Sequence, residues 1–127
     1  MARRVSILAA VLTLAALTGC DPTQKKDFHC QGAWEGITAA CAQFHLTEGE
    51  AAAVGYACEH DKKGTWWAHS CPGDLEGKAQ IAGHCEVDAS DYSLSGTNMD
   101  VYFYEPATPL VASTACTEPD VKGTWYP

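Results

Sequence analysis

The sequence predicts an α+β domain: a small antiparallel sheet of three to four strands with two to three helices on one face, stapled by disulfides. Three observations lead to this prediction. Residues 78–87 alternate between apolar and polar side chains, which is typical of a strand with one buried face. Residues 47–50, Thr-Glu-Gly-Glu, form a capping box that starts a helix. Six cysteines are spread over the same region: Cys30, Cys41, Cys58, Cys71, Cys85 and Cys116.

The first 19 residues have the pattern of an export signal. Arg3 and Arg4 precede an apolar run over residues 5–17, which is shorter than the about 20 residues needed to span a bilayer. The run closes with Leu-Thr-Gly-Cys at residues 17–20, which resembles the lipobox of bacterial lipoproteins. This resemblance implies that the thiol of Cys20 receives a diacylglyceryl group, that cleavage occurs just before it, and that the new amine is acylated.

The lipobox resemblance also implies a location and a division of the chain. It implies a signal peptide at 1–19, a lipidated cysteine with a polar tether at 20–29, and a globular Cys-rich domain at 30–127. The acyl chains would hold the protein on membrane lipid in the cell envelope, facing the periplasm or the exterior. Asp21 resembles the residue that retains such lipoproteins in the inner membrane of enteric-type bacteria, and the leaflet stays open.

The cysteine count agrees with a lipid anchor. Seven cysteines are an odd number for an exported chain, and lipid on Cys20 leaves six that can pair. An oxidising compartment favours disulfides, so three are expected. Cys58 and Cys116 both end predicted helices and compete for Cys85, and spacing alone does not choose the pairing.

Capping residues predict two helices, and the helical spacing of apolar side chains predicts a third. The first begins after Thr47, buries a stripe that includes Val54 and Cys58, and ends near Gly64. The second begins at Thr108-Pro109 and stops before Pro119. A third, shorter helix is expected over residues 35–44, where apolar side chains share a helical face.

Strands are expected over residues 65–69, 78–87 and 101–104, with a short last strand at 123–126 and a long loop at 88–98. Residues 57–66 resemble residues 115–125, since both contain Ala-Cys followed by Gly-Thr-Trp. We therefore expect one supersecondary unit to occur twice in this domain. A pattern in Cys-rich predicted lipoproteins of Gram-negative bacteria that have no assigned activity is similar to the order of motifs here: Gly-Thr-Trp at 64–66, Cys-Pro at 71–72, Gly-His-Cys at 83–85, a Tyr-rich strand at 102–104, Ala-Cys at 115–116 and Gly-Thr-Trp at 123–125. This likeness implies a fold only.

The net charge of the mature chain and the absence of known catalytic motifs limit the classes of function that the sequence supports. Arg3 and Arg4 leave with the signal, so the mature chain has 6 basic and 16 acidic residues and a net charge of −10. Such a chain repels phosphates, which argues against a nucleic-acid partner. No Gly-x-Ser-x-Gly or His-Glu-x-x-His motif occurs, and no cofactor is expected. The sequence therefore favours a non-catalytic structural or interaction role with an envelope protein partner.

Three alternatives remain open. A ligand- or carbohydrate-binding module would stack its ligand on exposed aromatics, for which the candidates are Trp66, Trp67, Tyr102 and Tyr104. A metal site could use histidines that lie close to cysteines, or calcium could bind near the acidic residues of the 88–98 loop, although oxidised cysteines cannot act as thiolate ligands. An envelope enzyme could assemble a Ser, His and Asp site in space.

Overall fold

One antiparallel sheet organises the chain. The computed structural model describes residues 21–127. The strands are β1 (Lys26–Trp34), β2 (Ile37–Leu46), β3 (Thr65–Trp67), β4 (Asp74–Leu75), β5 (Lys78–Asp88), β6 (Asn98–Tyr104) and β7 (Thr124–Tyr126), and the helices are α1 (Glu48–His60) and α2 (Pro109–Cys116). The strand order is β3-β1-β2-β6-β5-β4, and β7 pairs with the part of β5 that β4 leaves free. A short 3-10 helix, Ser90–Tyr92, lies in the loop between β5 and β6.

The predicted fold class is wrong about the size of the sheet. Residues 21–127 form seven strands rather than three to four, together with two α-helices. The helix predicted over residues 35–44 is instead mostly β2, which forms a hairpin with β1. Strand β1 begins at Lys26, so residues 26–29, assigned to the tether, belong to the sheet.

The physical reason for this error is that the middle of β2 is buried on both faces. Residues 39–42 are all buried, so the strand lacks the alternation of apolar and polar side chains that marks a half-buried strand. Three of these four residues are alanine, the residue with the highest helix propensity.

The other predicted elements are present. The hydroxyl of Thr47 accepts a hydrogen bond from the Glu50 amide (3.2 Å), and the Glu50 carboxylate accepts one from the Thr47 amide (3.0 Å), which completes the capping box of α1. The hydroxyl of Thr108 accepts from the Val111 amide (3.3 Å) at the start of α2. Strands β3, β5, β6 and β7 lie where the sequence predicts strands, with small differences at their ends.

The sheet is built from two repeats of a hairpin, a helix and a strand. The first repeat is β1, β2, α1 and β3, and the second is β5, β6, α2 and β7. In each repeat the last strand pairs with the first strand of its own hairpin. A row of paired positions crosses the sheet on the helical face and reads almost the same from both ends: Trp66, Cys30, Ala42, Val101, Cys85 and Trp125. The repeats are therefore related by an approximate twofold axis that passes between Ala42 and Val101.

The hydrophobic core lies between the sheet and the two helices. Val54 of α1 and Ala112 of α2 are completely buried against the sheet. Trp66 packs against Gly55 of α1, where a β-carbon would come within 2.8 Å of the indole nitrogen. Its ring also stacks on Phe28, with centroids 5.6 Å apart.

Three disulfides join the described cysteines, as the sequence predicts. Cys30–Cys58 and Cys85–Cys116 occupy equivalent places, since each ties the last turn of a helix to the first strand of the same repeat. Cys41–Cys71 instead ties β2 to the loop after β3. Of the two competitors for Cys85, Cys116 is the one that pairs with it.

Candidate functional site

The face of the sheet that points away from the helices carries two rows of paired side chains. The first row is Trp67, His29, Gln43, Asp100, Glu86 and Thr124, and the second is Thr65, Gln31, Cys41, Tyr102, His84 and Tyr126. The approximate twofold axis exchanges the rows. His84 thus takes the place of His29, and Tyr126 takes the place of Trp67.

One half of this face is covered by residues 68–73, which we call the covering segment. The carbonyl oxygen of His69 accepts a hydrogen bond from His29 Nδ1 (2.7 Å), and the Cys71 amide donates to the side-chain oxygen of Gln43 (2.8 Å). The hydroxyl of Tyr104 donates to the carbonyl of Pro72. Together with the Cys41–Cys71 disulfide, these bonds hold the segment on the sheet.

His29 is enclosed beneath the covering segment and is only 1% exposed. Because a carbonyl can only accept, Nδ1 must carry the proton of the neutral ring. Nε2 is buried and has no hydrogen-bond partner among the described residues. Burial lowers the pKa of His29 below its ordinary value, so the ring is neutral near neutral pH.

The other half of the face is open, and we call it the His84 surface: His84, Glu86, Asp100, Tyr102 and Tyr126. The imidazole of His84 is stacked between two phenol rings, with centroid distances of 5.3 Å to Tyr102 and 5.1 Å to Tyr126. Tyr126 forms the outer end of this stack and is 42% exposed. The side chain of His84 is 31% exposed, in contrast to that of its counterpart His29.

Carboxylates give the His84 surface a negative charge. Asp100 Oδ1 lies 3.8 Å from His84 Nε2, which is too far for a hydrogen bond. Burial raises the pKa of the Asp100 carboxyl, and the neighbouring His84 acts in the opposite direction. Glu86 accepts a hydrogen bond from the side-chain amide of Asn98 (3.2 Å). Neither of the two rows contains a lysine or an arginine.

The four predicted stacking residues lie in different environments. Trp67 is 46% exposed and Tyr102 is partly exposed, both on the face away from the helices. Trp66 packs against the core on the opposite face, as expected for its neighbour in a strand. Tyr104 is fully buried beneath the covering segment, so it offers no ring to a ligand.

His84 and Tyr126 were not predicted from the sequence to share one surface. The signal was present in the repeat, since His-Cys occurs at residues 29–30 and again at 84–85, and an aromatic residue follows each Gly-Thr-Trp. The histidine of each pair lies beside that aromatic residue across the strands.

The histidines, cysteines and carboxylates do not gather into a metal centre in the part of the chain that the structure describes. Residues 21–127 contain no group of three or more such side chains that could hold an ion. All six described cysteines are in disulfides. In the loop after β5, Asp88 accepts hydrogen bonds from the amides of Ser90 and Gly96, which together lower the pKa of its carboxyl.

A serine, an aspartate and a histidine meet at the edge of the covering segment. Ser70 Oγ donates to one oxygen of Asp27 (2.9 Å), and His45 Nδ1 lies 2.9 Å from the other oxygen. The carboxylate therefore stands between the hydroxyl and the imidazole. A catalytic triad needs the imidazole next to the hydroxyl, because the imidazole takes the proton of the nucleophile.

Cys20, the predicted lipidation site, lies outside the described residues. Within residues 21–127 neither helix has the length and apolar character required to cross a bilayer. The chain matches no protein-family model, no curated protein and no solved structure.

Proposed function

We propose that this protein is an envelope lipoprotein, anchored through lipid on Cys20, whose domain binds a partner protein without catalysis through the His84 surface. The observation that carries the proposal is the difference between the two halves of one sheet face. His29 is covered by the chain's own segment, whereas His84 and its stacked tyrosines remain accessible.

The composition of the His84 surface suits protein recognition. Partly exposed tyrosines supply large contact areas at a small cost in side-chain entropy, and aromatic residues are enriched at protein interfaces. The surface lies on paired strands whose helices are tied down by disulfides, so little backbone order would be lost on binding. A sugar-binding role has less support, because His84 already stacks against the inner faces of both tyrosines.

The lipid anchor would keep the domain close to the membrane. Only residues 21–25 separate Cys20 from the first residue of β1. A flexible linker of this length has a root-mean-square span of about 12 Å. A partner would therefore be another protein of the envelope, located at or near the same lipid surface.

Photo-crosslinking tests the proposed surface. A photoreactive amino acid at Thr124, next to Glu86 in the first row, is expected to give a discrete adduct with one partner in the membranes of cells that make the protein. The same probe at Thr114, an exposed position on α2, is the control. Adducts from both positions, or from neither, would contradict the proposal.

The anchor is tested separately by Cys20→Ala. This variant is expected to incorporate no labelled fatty acid, because the thiol that accepts the diacylglyceryl group is absent. Mass spectrometry of the wild-type N-terminus should show a diacylglyceryl thioether at Cys20. An unmodified thiol in the membrane-bound protein would refute the lipoprotein assignment and leave the His84 surface to be judged by crosslinking.

A further inference from the structure

We infer that the His84 surface binds an extended, positively charged segment of its partner, in the way that the covering segment occupies the equivalent half of the sheet. This inference rests on the proposed function and deepens it. The protein itself supplies the template, because among residues 21–127 the same repeat occurs once with an occupant and once without.

The two halves match in geometry. His29 stacks on Trp67 with an interplanar angle of 23°, and His84 stacks on Tyr126 with an angle of 15°. In the covered half a backbone carbonyl accepts from the histidine ring, and a backbone amide donates to the side chain of Gln43. The residue equivalent to Gln43 is Tyr102, whose hydroxyl can also accept a hydrogen bond. An extended segment over His84 would find the same kinds of contact.

The two halves differ in charge. The twofold relation places Asp100 at the position of Cys41 and Glu86 at the position of Gln31. The covered half thus has two uncharged side chains where the open half has two carboxylates. An occupant of the open half therefore needs positive charge, which the covering segment of the first repeat does not need. Lysine or arginine side chains would pair with these carboxylates, and the face of Tyr126 favours a cation at close range.

The test uses a fluorescent peptide of about nine residues in which arginine alternates with serine, since every second side chain of an extended segment faces the sheet. Binding to the full lipidated protein in nanodiscs of neutral phosphatidylcholine is measured by anisotropy. Peptides with citrulline or glutamate in place of arginine are the matched probes, and empty nanodiscs correct for lipid binding. We expect saturable binding of the arginine peptide, weaker binding of the citrulline peptide and none of the glutamate peptide.

Variants locate the binding site. Glu86→Gln combined with Asp100→Asn is expected to weaken binding of the arginine peptide about fivefold, as two partly exposed ion pairs are lost. The control removes the same charge elsewhere, with Glu118→Gln and Asp120→Asn, two exposed residues after α2. The control should keep the wild-type affinity. Equal losses in both double variants would show general attraction to an acidic protein and would overturn the inference.

The outcomes separate this inference from the proposed function. Absence of arginine-peptide binding, or equal binding of the citrulline peptide, overturns the cationic segment even if Thr124 crosslinks to a partner. In that case the surface still binds a protein, but one of different chemistry. If Thr124 yields no adduct while the peptide binds with the expected loss in the double variant, the surface recognises cationic segments and the membrane partner proposal fails.

Discussion

Two glycines show how single residues permit the helix-to-sheet disulfides. A β-carbon at Gly64 would lie 2.7 Å from the sulfur of Cys30, and one at Gly123 would lie 2.5 Å from the sulfur of Cys85. Because real β-carbons do not approach sulfur so closely, we expect Gly64→Ala and Gly123→Ala each to lower the free energy of unfolding by about 2 kcal/mol. Denaturant unfolding measures this change.

The matched control for these glycines is Gly73→Ala. No atom lies within 4 Å of a β-carbon built at Gly73, so its effect should stay below about 0.5 kcal/mol. The amide of each tight glycine also donates to the carbonyl of a disulfide cysteine, Cys58 or Cys116 (2.8 Å in both). A large effect at one of the two glycines and none at the other would show that the two turns are not equivalent.

His29 predicts a pH dependence of stability. Burial lowers its pKa in the folded protein below the ordinary value of 6.5. Below that pH the unfolded chain binds a proton that the folded chain resists, so the free energy of unfolding falls as the solution is acidified. We expect His29→Gln to flatten the dependence between about pH 7 and about pH 5, where carboxylates titrate little. The exposed His60 provides the control, and a slope lost equally in His60→Gln would contradict this assignment.

The covering segment is held by the Cys41–Cys71 disulfide, which has no counterpart in the second repeat. Cys41 and Cys71 are 30 residues apart, so Cys41→Ala with Cys71→Ala should lower the free energy of unfolding by about 3 kcal/mol. We also expect faster hydrogen exchange in residues 68–73, while β1 and β2 keep their protection. The matched double variant of Cys30 and Cys58 should expose α1 instead. Unchanged exchange in residues 68–73 would show that hydrogen bonds alone hold the segment.

Elements with a local chemical signal were predictable from the sequence. The capping box at Thr47 and the Thr108-Pro109 start marked both helices, and alternation marked β5. Strand β2 gave no such signal, because the helices cover one of its faces and the covering segment covers the other. The start of β1 was hidden for another reason: Lys26 and Asp27 are polar, so they lack the apolar alternation that marks a strand, and Lys26 is exposed while Asp27 is partly exposed.

At the scale of the whole molecule, the candidate site depends on strands that are distant in sequence. The His84 surface forms only when β5 lies between β6 and β7, and the covered half forms only when β3 returns to β1. Residue spacing does not specify these pairings. The repeated Ala-Cys and Gly-Thr-Trp motifs did indicate a duplicated unit, but without the β1–β2 hairpin the equivalence of His29 and His84 could not be derived.

The duplicated architecture predicts that the domain survives a cut between its halves. No disulfide crosses the turn at Glu76–Gly77, since two lie before it and one lies after it. The backbone is therefore the only covalent connection between residues 21–75 and residues 78–127. The halves meet through β2 and β6, with Ala42 opposite Val101, and through a common core. Each half alone would have about 50 residues and one exposed side of that core, which is too little for stable folding.

We therefore expect a protease site inserted at Glu76–Gly77 to yield two fragments that co-elute in gel filtration, retain the circular dichroism of the intact domain and separate only in denaturant. Each fragment isolated by itself should be largely unfolded, and mixing should restore the spectrum. A cut between Ser95 and Gly96 is the control, because Cys85–Cys116 should hold those fragments together even in denaturant. Fragments from the first cut that separate in plain buffer, or that fold independently, would mean that the central β2–β6 pairing does not unite the repeats into one cooperative unit.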